Sequence, residues 1–125
     1  MLEHYKQDRG TLSYVSFSDL EFTPKRMFFV YNVPKGEIRG CHGHRTGQQY
    51  ITCIKGKIRV KLVSKDKIHE STLLPGDSIF LDKMVWGEQQ YLTGDDVAHV
   101  LCSNEFDEND YIYDLNEILE GVSDV

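Results

Sequence analysis

At 125 residues the chain is long enough for one domain and too short for two ordinary ones. Apolar residues make up 40% of it and there are 10 glycines, a balance typical of globular proteins and contrary to disorder. The net charge of −6 excludes a general nucleic-acid or membrane-surface binder, because both partners are anionic; a local cluster of cations could still hold a small anion.

The polar start, Met1 to Lys6, predicts no signal peptide, and no apolar run approaches the roughly 18 residues needed to cross a bilayer. Turn signals recur at 34–37, 55–57, 64–67, 75–77 and 93–96, where Gly, Pro, Asp and Ser cluster. The runs between them alternate with a period of two. In the stretch from Lys57 to Leu62, for example, Ile58, Val60 and Leu62 share one face while Lys57, Arg59 and Lys61 share the other. In chain order this predicts strands over 12–17, 25–33, 48–54, 57–62, 68–74, 78–81, 85–92 and 97–102. Short strands with tight turns and almost no helical pattern predict an all-β antiparallel sandwich or barrel, a single domain over residues 1–125. The exception is a short C-terminal helix over 114–121, started by Asp114 and stopped by Gly121. Cys41, Cys53 and Cys102 form no CxxC pair and read as free thiols in a reducing, cytoplasmic compartment.

His42 and His44 carry the main functional signal. Two residues apart on a strand, they share a face with Cα atoms roughly 6.5 Å apart. Two imidazoles converging on one cavity can bind a metal or move protons. Their spacing resembles the first motif of the cupin jelly-roll barrels: Gly36, five residues, His42-Gly43-His44, four residues, Gln49, six residues, Gly56. The second cupin motif fits in spacing from Gly76 to Gly87. Gln49 stands where cupins carry Glu, and Gly87 where they carry His. Two histidines make a poor site for a first-row metal, so metal-free proton chemistry is expected, with no metal and no cofactor.

Over nearly the whole chain the sequence is similar to the sugar-nucleotide 3,4-ketoisomerases within the cupins. The resemblance is carried by Asp8-Arg9-Gly10-Thr11-Leu12, by the run from Arg26 to Tyr31, and above all by Gly36-Glu37-Ile38-Arg39-Gly40-Cys41-His42-Gly43-His44. Gln49, Cys53, Gly56, Val85-Trp86 and the stretch from Phe106 to Ile112 add to it. The resemblance implies conversion of dTDP-4-keto-6-deoxy-D-glucose to its 3-keto isomer, in the making of 3-amino-3,6-dideoxy sugars, by a metal-independent homodimer. The chain departs from that family at Gly87, Tyr113 and Gly43.

A carbonyl moves from C4 to C3 through an enediol. A base takes the C3 proton, a proton reaches C4, and another passes between the two oxygens. Imidazole can both take and give protons near neutral pH. One of His42 and His44 is therefore expected to shuttle the carbon proton while the other polarises the sugar oxygens. The sequence leaves their order open, with a lean toward His44 as base. A diphosphate needs cations, and Arg9, Arg26 and Arg39 are the candidates. Strict alternation puts Arg39 on the face opposite His42 unless a bulge at Gly40 re-aims it. Gln49 is expected to bond a sugar hydroxyl or orient a histidine, and Trp86 to stack on the base or serve as core. Cys41 points away from the histidines by alternation, and the acidic stretch 105–110 reads as a solvated capping segment. The competing readings are a 3,5-epimerase on the same barrel, a non-catalytic nucleotide-sugar binder and a metal-dependent dioxygenase.

Overall fold

The alternating runs pair antiparallel throughout the computed structural model, which describes residues 2–121. The strands are β1 (Glu3–Gln7), β2 (Gly10–Tyr14), β3 (Arg26–Val30), β4 (Ile38–His44), β5 (Gln49–Lys55) and β6 (Ile58–Val63). They continue as β7 (Ile68–Leu73), β8 (Ser78–Leu81), β9 (Trp86–Tyr91), β10 (Val97–Cys102) and β11 (Tyr111–Ile112), followed by helix α1 (Leu115–Leu119). One sheet runs β3-β10-β5-β8 and the other β11-β4-β9-β6-β7, while β1 and β2 form a separate hairpin. This is the all-β jelly-roll architecture expected, with its short terminal helix.

The two larger sheets bury one face each against the other. Ile51, Cys53, Leu81, Ala98 and Val100 from the first meet Ile58, Val60, Leu73 and Tyr91 from the second. Ile58 and Val60 are fully buried, while Arg59 between them lies on the wet face and pairs with Glu70 at 2.9 Å. Each fully buried aliphatic side chain contributes about 1.5–3 kcal/mol, so this interlayer core dominates the stabilisation. A second core lies on the outer face of the five-stranded sheet, where Val63, Trp86, Ile112 and Ile118 pack together under α1. Asp114 starts that helix by accepting from the Asn116 backbone N–H.

Three local outcomes differ from expectation. The stretch predicted as one strand over 12–17 ends at Tyr14 and turns into a 3₁₀ turn at Phe17–Asp19. The strand predicted over 25–33 stops at Val30, and Asn32 takes a left-handed φ of 59° that ends the extended run. Strand β1 was not predicted; its five residues are all exposed, so no burial pattern marks it. The thiols are free, with Cys41 exposed and Cys53 and Cys102 buried. Among the described residues no helix is long and apolar enough to cross a membrane.

Candidate active site

The site begins with a break in strand β4. Gly40 and Cys41 both adopt left-handed backbone, with φ of 87° and 58°. Glycine takes that conformation without penalty, and a cysteine held there marks local strain. The register on β9 shifts at this point: Gly40 pairs with Glu88, but His42 pairs with Gly87, leaving Cys41 as the extra residue of a β-bulge. The bulge restores Arg39 to the face of His42. Both line a cavity of about 90 Å³ between the sheets, together with Gln49, Gln89 and Tyr91. Cys41 points out, and burial followed by the nearby Glu88 pushes its thiol pKa up, which makes it a poor nucleophile.

His42 and His44 stand edge to face, their ring centroids 5.1 Å apart and their planes at 88°. His42 Nδ1 lies 2.9 Å from the Gly40 carbonyl oxygen. A carbonyl only accepts, so Nδ1 carries the proton and Nε2 keeps its lone pair. Burial lowers the His42 pKa below the ordinary imidazole value, and the bond to Gly40 partly opposes this. His44 is more deeply placed at 7% exposure, and its pKa falls to about 4, mainly from burial and then from the neighbouring His42. Both rings are therefore neutral at pH 7.

Tyr111 packs against both, its ring centroid 4.9 Å from His42 and 4.5 Å from His44. Strand β11 brings it there by pairing Tyr111 with His44. Tyr113 stacks on Tyr111 at 5.8 Å and extends the aromatic wall outward. The loop after β4 is pinned by Asp110, which accepts from the Thr46 N–H and hydroxyl and from the Gly47 N–H at 2.8–3.0 Å. The acidic stretch is thus a capping segment, as expected, but its last carboxylate is buried rather than solvated.

Arg26 reaches the inner end of the site. Its guanidinium lies over the rings of Phe28 and Phe106, 5.6 Å from each centroid, and donates to Cys102 Sγ at 3.4 Å. Gln49 is buried beside it, donates to the same sulfur at 3.5 Å, and borders both the main cavity and a smaller one next to His44. Gly87 faces His42 across the sheet. A Cβ there would come 2.7 Å from Leu81 Cδ2, so the missing side chain leaves the room that Leu81 fills.

The structure thus brings His42, His44, Arg26, Arg39 and Gln49 together. It does not bring Arg9, which lies on the exposed β1–β2 hairpin beside Tyr5 and Leu12. Nor does it bring Trp86, whose side chain points to the opposite face of β9 into the second core and donates to Glu88 at 2.9 Å. Tyr111 and Gln89 were not singled out from sequence; a two-residue strand such as β11 has no periodicity to read. Cupin-type metal binding does not fit the donor set. The two remaining ligand positions are an amide and a glycine, and no group of three or more His, Cys, Asp or Glu side chains gathers among the described residues.

Comparison with known proteins agrees with this architecture. A family model described as FdtA, WxcM-like, C-terminal matches residues 1–123. The chain is 33% identical over 106 residues to the TDP-4-oxo-6-deoxy-alpha-D-glucose-3,4-oxoisomerase of Aneurinibacillus thermoaerophilus, covering 83% of this chain and 76% of the relative. It superposes on QdtA, a sugar 3,4-ketoisomerase from Thermoanaerobacterium thermosaccharolyticum in complex with TDP, with TM-score 0.89 and 26% identity, over 96% of this chain and 89% of that one. A histidine-to-asparagine variant of QdtA in complex with TDP-4-keto-6-deoxyglucose matches with TM-score 0.89 and 25% identity, over 96% and 88% of the two chains.

Proposed function

The chain belongs to the family described as FdtA, WxcM-like, C-terminal, and from that membership we infer that it is a sugar-nucleotide 3,4-ketoisomerase. It converts dTDP-4-keto-6-deoxy-D-glucose to the 3-keto isomer through an enediol, in the route to 3-amino-3,6-dideoxy sugars. The observation that carries this reading is a neutral imidazole pair at right angles beside a cavity between the sheets, in a chain similar along most of its length to 3,4-ketoisomerases.

In the mechanism we propose, His42 Nε2 is the base. It holds a lone pair fixed by the Nδ1 bond to Gly40, and its ring borders the larger cavity. This reverses the lean toward His44 drawn from sequence, for His44 borders the smaller void and resists protonation down to about pH 4. His42 takes the C3 proton as the C4 carbonyl becomes an enolate. A proton passes from the C3 hydroxyl to the C4 oxygen side, and the imidazolium of His42 returns a proton to C4, which leaves the carbonyl at C3. A positioned base of this kind contributes on the order of 10²–10⁴ in rate. His44 polarises the sugar oxygens and Gln49 orients them, while Arg39 at the cavity rim pairs with the diphosphate.

We also propose that the enzyme is a cytoplasmic homodimer. All residues of the β1–β2 hairpin are exposed, among them Tyr5, Leu12 and Tyr14, and β3 presents exposed Met27 and Phe29 on the outer face of its sheet. A second copy would cover these apolar groups, and Arg9 rides on the same hairpin. The reaction is tested by incubating the protein with dTDP-4-keto-6-deoxyglucose and a 3-aminotransferase. A 3-amino sugar supports the reading; unchanged substrate, or a 4-keto sugar inverted at ring carbons, overturns it.

A further inference from the structure

Two polar atoms in the inner part of the site are buried with no partner: Arg26 Nε and His44 Nε2. Buried donors and acceptors in native proteins are almost always paired, with protein or with ordered water. Both residues line the same small void of about 10 Å³, bordered also by Gln49, Cys102, Asp110 and Tyr111. A polar void holds one water once its volume for water centres reaches roughly 10–15 Å³.

We propose that this void is a binding site for a single structural water that bridges Arg26 Nε–H and His44 Nε2, and that Arg26 through it acts as a positioning residue. Arg26 Nε can only donate, so the water accepts from it, and in the proposed arrangement it gives one of its own hydrogens to His44 Nε2. With Nε2 as the acceptor in this arrangement, rather than a second donor to the water, the His44 proton sits on Nδ1. The two histidines thereby take complementary parts: His42 offers an unprotonated nitrogen and His44 an N–H. A small anion is disfavoured as occupant, because the Asp110 carboxylate borders the same void. The guanidinium is also held by Cys102, by Tyr111 and by the two rings that flank it, so it is preorganised for this bond.

This inference rests on the ketoisomerase reading only for the use His44 makes of its N–H. Its test therefore reads the ring itself. Long-range ¹H–¹⁵N spectra of the full-length protein with labelled histidine are expected to show His44 protonated on Nδ1. A high-resolution crystal structure is expected to show one water within about 3.2 Å of both atoms. In Arg26→Met the tautomer preference of His44 is expected to be lost while His42 stays Nδ1-protonated, and kcat to fall on the order of 10-fold with little change in KM. A wild-type His44 protonated on Nε2, density showing a side chain or no solvent between the two atoms, or an Arg26→Met protein with unchanged tautomer and kcat would each overturn the proposal. If Arg26→Met fails to fold, the two wild-type measurements decide. A wild-type protein without isomerase activity would refute the functional reading and leave the tautomer result standing.

Discussion

Replacing Gly40 by alanine probes the bulge on which the site is built. The residue sits at φ +87°, where an alanine pays roughly 1–2 kcal/mol for left-handed backbone. Its Cβ would also stand 2.7 Å from Gln89 Oε1 and 2.9 Å from the Gly87 carbonyl oxygen. The glutamine can swing away, but the carbonyl belongs to the paired strand and cannot move alone, which adds roughly 1–3 kcal/mol. The total loss expected is about 2–5 kcal/mol, equivalent to a fall of roughly 8–20 °C in Tm for a domain of this size. Gly36 supplies the control: its φ is +85° and no atom lies within 4 Å of a Cβ, so Gly36→Ala should lose only roughly the dihedral share, 1–2 kcal/mol. Urea denaturation of both variants measures the difference. The Gly40 variant should also lose kcat/KM, because a relaxed bulge sends Arg39 and His42 to opposite faces, whereas the Gly36 variant should keep it. Equal stabilities and equal activities for the two variants would refute the reasoning.

The acid limb of kcat/KM should fall at a pKa below the ordinary imidazole value near 6.5, because burial depresses His42 and the unprotonated form is the active base; a pH–rate series measures it. Stability should decline as pH falls from about 6.5 towards 4, since an unfolded His44 takes up a proton in that window and the folded one, with a pKa of about 4, does not. The full effect is about 3 kcal/mol, and His44→Asn should remove that part of the slope in denaturation curves recorded across the range. Trp86→Phe should cost stability, through lost packing and the lost bond to Glu88, yet leave KM and kcat near wild type, as steady-state kinetics will show.

Much of this site was legible because a strand's period is two. The pair His42 and His44 had to share a face, and the glycine at position 40 marked where alternation could slip. Whether it did slip depends on the partner strand, since the bulge is defined by two β4 residues opposing one stretch of β9, and no single strand carries that information. Trp86 was ambiguous for a different reason. Gly87, Gln89 and Tyr91 face the inner cavity, but at Trp86 the opposite face of β9 packs with Ile118 of α1 rather than meeting water, so apolar character does not tell inside from outside there. Tyr111 lies on a two-residue strand and Asp110 in an acidic loop, where local pattern is silent. The hairpin β1–β2 escaped in part because it stands off the core and its first strand shows no burial period.

Proton traffic at the sugar carbons gives the most direct measure of what His42 does. NMR of dTDP-4-keto-6-deoxyglucose incubated with enzyme in heavy water should show a 3-keto product carrying solvent deuterium at C4, with both exchange and product lost in His42→Asn although nucleotide-sugar binding persists. Undiminished turnover in that variant, or deuterium held at C3 with the carbonyl still at C4, would contradict the account.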